Sequence, residues 1–161
     1  MNHYLDKIGV SWYRKENTLQ ECTEDFLIFL ERLRRFDSNL GVLYKQGKSL
    51  QESVMHEVSF EYDYIKKLFC KTCNDQDYPD ISFSFSIWNG NISEGEYIRL
   101  STSLGKSQLG VNNSNCMLSM PYKGNLYTHY SNPDDYKQLQ ELFIDHWKPQ
   151  YIWKRDQWIE L

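Results

Sequence analysis

The chain has 161 residues, a formal net charge of −4 and a hydrophobic fraction of 40%. These values favour one globular domain over residues 1–161, and they are not typical of a disordered chain. The slightly acidic balance provides no basic surface for nucleic-acid phosphates. No apolar run has the length of a signal peptide or a membrane span. We therefore expect a cytoplasmic protein that contacts neither nucleic acid nor membrane, with its four cysteines as reduced thiols.

The first predicted elements are a strand and an amphipathic helix. Apolar side chains occupy every second position at Ile8, Val10 and Trp12, which predicts a strand with one buried face. Asn17 is the predicted N-cap of the first helix, with Gln20 at the capping-box position. The apolar stripe of this helix consists of Leu19, Cys22, Phe26, Phe29, Leu30 and Leu33.

The next predicted elements are a short apolar segment and a second helix. Residues 40–44 form either a strand or an extended link. Ser49 and Glu52 form a capping box, so a helix is predicted to start here and to continue to about residue 70. Its apolar stripe consists of Leu50, Val54, Val58, Tyr62, Ile65 and Phe69. Residues 73–80 are polar and predict a loop.

Residues 81–105 have the clearest pattern in the chain and predict an antiparallel hairpin in the middle of the sheet. Apolar residues alternate with serines in residues 81–87, and the same period of two returns in residues 97–104. The link between the two runs contains Gly90 and Gly95 among asparagines, which are residues that tolerate positive φ. We expect the Phe/Ile face to lie under the helices and the serine face to meet water.

The remaining elements complete the predicted fold. Residues 116–120 alternate and predict a third strand of the sheet, Asn132 and Pro133 begin a third helix, and residues 151–153 predict a last short strand. The prediction is an α+β fold with a single domain. It consists of an antiparallel sheet of about four to six strands, with three helices packed mainly on one face.

Motifs for metals and nucleotides occur only in part. Cys70 and Cys73 form a CxxC at the predicted end of a helix, without the second pair that a zinc site needs, so they are interpreted as incidental thiols. The sequences 47–49 and 105–107 both read Gly-Lys-Ser, but both lack the earlier glycine of a P-loop. We expect no cofactor, no metal and no catalytic residue.

Two histidines keep an enzymatic alternative open. His56 stands near Glu52 and Glu57, and His146 follows Asp145. General acid–base catalysis needs such groups to converge in a pocket, which neighbours on one helix do not do by themselves. We interpret both as surface or rim histidines. The alternatives are a small cytoplasmic hydrolase or transferase with a histidine/carboxylate pair, and a general adaptor subunit.

Acidic and aromatic residues are the best candidates for binding a partner. The densest acidic stretch consists of Glu52, Glu57, Glu61, Asp63, Asp75, Asp77 and Asp80. It is interpreted as a solvated helix face and a loop, or as a docking patch for a basic protein. Aromatic residues make up 16% of the chain, which favours some rings at the surface.

Five marks along the chain carry a resemblance to a known family. They are Trp12-Tyr13-Arg14 with Glu16 before the helix of Cys22, Tyr44 with Gly47-Lys48-Ser49, the strand end Trp88-Asn89-Gly90, the serine-rich strand to Gly105, and Trp147-Lys148-Pro149. In order and spacing the chain resembles the immunity protein 52 family of bacterial polymorphic-toxin systems. The resemblance implies a small α+β protein without catalysis that binds and blocks a cognate toxin.

The resemblance also indicates the kind of partner. Toxins paired with this family include proteins that look like restriction-endonuclease-type nucleases, delivered by contact-dependent or type VI secretion. The resemblance therefore implies a protein toxin as the partner, with a basic nuclease domain as one candidate. The sequence is also compatible with a homodimer and does not decide this point. The predicted contact residues are the acids and aromatic anchors Glu57, Glu61, Asp63, Asp75, Asp77, Trp88 and Tyr97.

Overall fold

The computed structural model describes residues 4–13, 17–45, 50–73, 83–105 and 113–161. Seven strands lie in these residues: β1 (Ile8–Tyr13), β2 (Tyr44–Lys45), β3 (Phe83–Trp88), β4 (Arg99–Leu104), β5 (Asn113–Ser119), β6 (Tyr151–Lys154) and β7 (Gln157–Glu160). They form one antiparallel sheet with the order β2-β3-β4-β5-β1-β6-β7. The α+β class and the antiparallel sheet are therefore confirmed, while the expected number of strands is too low.

Four helices of at least seven residues accompany the sheet in the described part of the chain. They are α1 (Leu19–Phe36), α3 (Tyr62–Cys73), α4 (Gly124–Tyr130) and α5 (Pro133–Trp147), and the single turn α2 (Leu50–Ser53) precedes α3. The expectation of three helices missed α4. Among these residues, no helix combines the length and apolar character that crossing a bilayer requires.

The predicted hairpin is present as two neighbouring strands of the sheet. β3 pairs with β4 in a register that sets Phe85 opposite Thr102 and Ile87 opposite Leu100. The hairpin strands are the second and third of the seven, with β2 on one side and four strands on the other. The period-two pattern in residues 81–105 therefore predicted the pairing, but the expected position in the middle of the sheet is wrong, because the strands β6 and β7 extend the sheet on the far side.

The inner face of the sheet carries the core. Phe85 of β3 contacts Phe26 of α1 and Phe69 of α3, with ring centroids 5.0 and 4.8 Å apart. Trp12 of β1 stacks on Trp147 of α5. Phe26 and Phe69 are both fully buried. Full burial of one such side chain contributes about 1.5–3 kcal/mol, so these contacts hold the helices on this face.

The outer face is the opposite side of the same strands. The described helices reach the sheet through inner-face side chains, so the outer face carries mostly half-buried and exposed residues. Its small and polar residues in β3, β4 and β5 are Ser84, Ser86, Arg99, Ser101, Ser103, Asn113, Asn115 and Ser119. The hydroxyls of Ser86 and Ser101 are hydrogen-bonded at 2.9 Å across neighbouring strands. The serine face is therefore half-buried and does not project fully into water.

The predicted second helix is interrupted, which corrects the sequence interpretation. Helical structure stops at Ser53 and returns only at Tyr62. Between them the backbone N–H of Val58 donates to the carbonyl of Leu43, and Glu57 forms an isolated bridge with Tyr44. Pairing with the edge of the sheet satisfies these backbone groups in place of a helix, and it buries Val58 to 4% exposure.

Other differences concern the elements with the weakest local signals. Thr18, not Asn17, is the N-cap of α1, and its hydroxyl accepts a hydrogen bond from the Glu21 N–H at 3.1 Å. The β6–β7 hairpin was not predicted. Its turn consists of Arg155 and Asp156, which both have positive φ. Asparagine or glycine at these positions would have indicated a turn in the sequence. The Asn132–Pro133 start of α5 and the strand β6 are as predicted.

Candidate partner-binding surface

The loop between β3 and β4, residues 89–98, is held by one asparagine side chain. The Oδ1 atom of Asn89 accepts hydrogen bonds from the backbone N–H groups of Asn91 and Ile98, at 3.3 and 3.2 Å. Its Nδ2 group donates to the carbonyl of Glu96 at 3.4 Å. Gly90 follows with φ +71, and a Cβ atom there would stand 2.7 Å from the Tyr44 ring. The Trp88-Asn89-Gly90 motif therefore shapes this loop.

A second anchor fixes the far side of the same loop. The carbonyl of Gly95 accepts hydrogen bonds from the backbone N–H groups of Tyr122 and Lys123, at 2.8 and 3.0 Å. Gly95 adopts φ +82, and a Cβ atom there would lie 2.5 Å from the Tyr122 ring. The loop is thus fixed to β3 at one end and to the segment before α4 at the other.

The fixed loop borders a shallow depression on the outer face. The depression has a volume of about 290 Å³, and we call it the Trp88 depression. It is lined by Trp88, Asn91, Ile92, Ser93, Glu94, Tyr97 and Arg99. Tyr97 is 48% exposed, as expected for an aromatic anchor, but Trp88 is only 8% exposed. The expectation of an exposed Trp88 ring is therefore wrong, because Trp88 is the most buried aromatic residue of this depression.

Strand register connects one predicted acid to this depression. Glu57 bridges to Tyr44, Tyr44 pairs with Trp88, and Trp88 pairs with Arg99. Because directly paired residues project to the same face of a sheet, Glu57 shares the outer face with Trp88. The structure thus brings Glu57, Trp88 and Tyr97 to one end of the outer face.

The other predicted acids lie at the start of α3 or outside the described residues. Glu61 precedes α3 and Asp63 stands in its first turn. Both are exposed, as is Glu57, and none of the three carboxylates forms an ion pair within the described ranges. Asp75 and Asp77 lie outside the residues that the structure describes.

The two histidines of the enzymatic alternative have different surroundings. His56 is exposed on the segment that pairs with β2. His146 lies between α5 and α1, where its Nε2 atom is 3.0 Å from the Asp25 carbonyl. Its Nδ1 atom is 3.3 Å from a nitrogen of Arg32, which can only donate. Nδ1 is therefore unprotonated and Nε2–H donates to Asp25, so both ring nitrogens hold α5 against α1.

The environment of His146 strongly favours its neutral form. Burial, and next the positive charge of Arg32, lower its pKa to about 4. The pKa of Asp145 is also lowered, but for an acid this favours the charged form, and the cause is different. Its hydrogen bonds to Lys148 and then to Arg32, at 2.9 and 2.7 Å, lower its pKa to about 2. His146 lines a cleft of about 200 Å³, but in this conformation neither ring nitrogen is free to move a proton.

A polar cleft and an aromatic group escaped the sequence analysis. The cleft, of about 350 Å³, lies on the other side of the 89–98 loop and is lined by residues that include Asp37, Asn91 and Lys123. At the far end of the outer face, Trp153 packs edge-on against Trp158 at 5.3 Å. The cleft is assembled from separate segments of the chain, and the two tryptophans face each other only because β6 and β7 form a hairpin, which the sequence analysis did not predict.

Metal sites and known relatives add no further assignment. Within the ranges that the structure describes, no three His, Cys, Asp or Glu side chains are placed to hold a metal ion. The sequence matches no protein-family model and no curated protein. The resemblance to the immunity protein 52 family therefore rests on the five sequence marks alone.

Proposed function

We propose that this chain is an immunity protein that binds a cognate secreted bacterial toxin and neutralises it by direct protein–protein contact. The observation that carries the proposal is the group of Glu57, Trp88 and Tyr97 at one end of the outer face. Protein interfaces commonly combine an aromatic anchor with a polar rim, and Tyr97 beside the Trp88 depression has this form.

The three exposed carboxylates define the chemistry of the partner. Glu57, Glu61 and Asp63 form no ion pair within the described residues, so no internal ion pair must break when a basic surface approaches. Opposite charges accelerate association and select orientation, and the effect weakens as salt screens it. A nuclease attracts phosphate with such a basic surface, and these carboxylates would compete with the phosphates there.

An enzymatic function has less support from the geometry. A general base needs a ring nitrogen within reach of a substrate, while His146 uses one nitrogen as acceptor and the other as donor in contacts with α1. An adaptor subunit would use the same outer face but would bind several partners. An immunity protein and an adaptor subunit therefore differ in the number of partners that they bind.

The first experiment is recovery of the tagged full chain from its native cells, followed by mass spectrometry. We expect one dominant stoichiometric partner, whose expression alone kills cells and whose lethality is suppressed by this chain. The control is a Tyr97→Ala variant combined with Glu57→Lys, which should recover less partner at equal expression. Many sub-stoichiometric partners would favour the adaptor instead, and a partner without toxicity would contradict the proposal.

A further inference from the structure

The two edges of the sheet differ in what covers them. At one edge, residues 56–58 pair with the chain around β2, where the Lys45 N–H donates to the His56 carbonyl at 2.9 Å. At the other edge, no described segment pairs with the open side of β7. An uncovered edge strand presents backbone donors and acceptors to the strand of another chain. The sheet can therefore be extended at β7.

The backbone groups of Trp158 and Glu160 point out of this open edge. In the β6–β7 hairpin, the Leu161 N–H donates to the Gln150 carbonyl at 2.8 Å. Antiparallel strands alternate between residue pairs that exchange hydrogen bonds and pairs that do not, so every second residue counted back from Leu161 bonds to β6. The N–H and C=O groups of Trp158 and Glu160 therefore face outward, and none of the described residues bonds to them.

The side chains of β7 do little to protect this edge. Natural edge strands are often protected by proline, by lysine or by a β-bulge. β7 reads Gln-Trp-Ile-Glu and contains neither proline nor lysine. Trp158 is 39% exposed, and Leu161 directly after the strand is 62% exposed. Pairing with another strand therefore covers apolar surface as well as backbone groups.

We propose that β7 pairs antiparallel with β7 of a second copy of this chain, about a two-fold axis at Ile159. In this register, Trp158 lies opposite Glu160 of the second copy, and the same pair recurs on the other side of the axis. Each of these pairs exchanges two backbone hydrogen bonds, because the outward groups of both residues meet. The two sheets become one continuous sheet.

The side chains select this register over its neighbours. A two-fold axis normal to the sheet keeps the inner faces of both copies on one side, so it passes through Trp158, Ile159 or Glu160 of β7. An axis at Glu160 sets two glutamates opposite each other, and an axis at Trp158 sets Glu160 opposite Asp156. Like charges in directly opposite positions destabilise a sheet. An axis at Ile159 avoids both and creates a pair of β-branched residues, which sheets favour.

The same register continues the core across the edge. Ile152 of β6 pairs with Ile159 and packs against the core on the inner face. Ile159 of the second copy would stand next in this lateral row, followed by its Ile152. Leu161 lies on the same face, diagonal to Ile159 of the second copy. The contact therefore removes apolar side chains from water on the inner face, which favours association.

Self-pairing leaves the proposed toxin-binding surface accessible. Trp88 and the depression named after it belong to β3, while β7 is at the opposite end of the strand order. A dimer of this kind would present two such surfaces at its far ends. The inference therefore goes beyond the proposed function and does not depend on it.

Sedimentation velocity of the full chain measures the association. The contact is small, so we expect a dissociation constant of about 10–100 μM, with the mass rising from one chain towards two as the concentration is raised. Glu160→Pro removes an N–H that the hairpin does not use and should weaken association by at least about tenfold, while Glu160→Ala retains the N–H and the dimer. The mass of one chain at about 1 mM, or undiminished association of Glu160→Pro, overturns the inference.

Cross-linking tests the register without relying on a proline variant. In Ile159→Cys the two substituted positions lie opposite each other, with Cβ atoms about 4.5–5.5 Å apart and close to disulfide distance. In Gln157→Cys, on the same face, they are separated by about 13 Å along the strands. Mild oxidation should link Ile159→Cys into dimers above the level that the native cysteines give in the wild type. Equal yields from the two variants would overturn the register.

Amide hydrogen exchange distinguishes a second copy from another occupant of the edge. Raising the protein concentration should slow exchange at the Trp158 and Glu160 N–H groups. Ile159, whose N–H bonds to β6 within each copy, should change less. If the first two amides become protected only when the recovered toxin is added, the toxin occupies the edge and self-pairing is overturned. A monomeric chain that still neutralises the toxin also overturns self-pairing but leaves the immunity function intact.

Discussion

Trp12 and Trp147 stack nearly parallel, with ring centroids 4.8 Å apart and an interplanar angle of 12°. The contact joins β1 to the last residue of α5. Phe29 of α1 lies against the same Trp147 ring at 5.2 Å. Two of the five sequence marks that resemble the immunity protein 52 family thus meet in one aromatic cluster. Two further marks also meet in the structure, because the Tyr44 ring lies against Gly90. These marks have a structural role, whatever they contribute to binding.

Loss of the Trp12 ring should strongly destabilise the protein. Trp12 is 8% exposed, so Trp12→Ala should lower the free energy of unfolding by about 3–5 kcal/mol. Urea denaturation measures this loss. Trp158→Ala, at a ring that is 39% exposed, is the control and should cost about 1 kcal/mol. Equal losses in the two variants would contradict the assignment of Trp12 to the core.

Stability should fall in mild acid because of His146. The ordinary pKa of histidine is about 6.5, and the pKa of folded His146 is lowered to about 4. The unfolded chain therefore binds a proton first, and the free energy of unfolding falls as the pH is lowered from 6.5 to 4. Denaturation midpoints measured across this window report the slope.

Substitutions show which side chain causes the pH dependence of the free energy of unfolding. His146→Gln should flatten the pH dependence between 6.5 and 4, while His129→Gln should retain it. Asp145, with its pKa lowered to about 2 by Lys148 and Arg32, contributes only below about pH 4. An unchanged slope in His146→Gln would show that another group controls acid stability.

Substitution of Gly90 should cost stability for two separable reasons. Gly90 has φ +71, a backbone conformation that residues with a Cβ atom rarely adopt. In addition, a Cβ atom at this position would lie 2.7 Å from the Tyr44 ring. Gly90→Ala should lower the free energy of unfolding by about 1–3 kcal/mol. In a Tyr44→Ala background the cost should be smaller, because only the backbone strain remains. Equal costs in both backgrounds would exclude the ring contact as a cause.

The acidic residues should control the rate of toxin binding. Glu57→Lys with Glu61→Lys and Asp63→Asn should slow association at low salt by at least about tenfold. Asp63 is made neutral, since a cation in the first turn of α3 would oppose the helix dipole. Stopped-flow kinetics at several salt concentrations provide the measurement.

A matched control tests whether position matters. Glu24→Lys with Glu141→Lys produces a similar change in net charge on exposed positions of α1 and α5. This variant should associate almost like the wild type. If it slows binding as much as the acidic variant, long-range net charge is the cause and the docking patch is not supported.

Elements with local signals could be predicted from the amino-acid sequence. Period-two alternation predicted the β3–β4 hairpin, and helical periodicity with Asn132 and Pro133 predicted α5. Such patterns work because a side chain's face depends only on the backbone geometry of its own element. The α+β class follows from these elements alone.

Features that depend on residues far apart in the chain could not be predicted and became visible in the fold. Pairing with Leu43 and Tyr44 replaced the middle of the predicted second helix, because sheet hydrogen bonds at an edge outweighed a helical pattern. The same pairing set Glu57 in line with Trp88 and Arg99. Periodicity shows which face a residue occupies but not which strand lies beside it, so neither the burial of Trp88 nor its pairing with Arg99 could be predicted from the sequence.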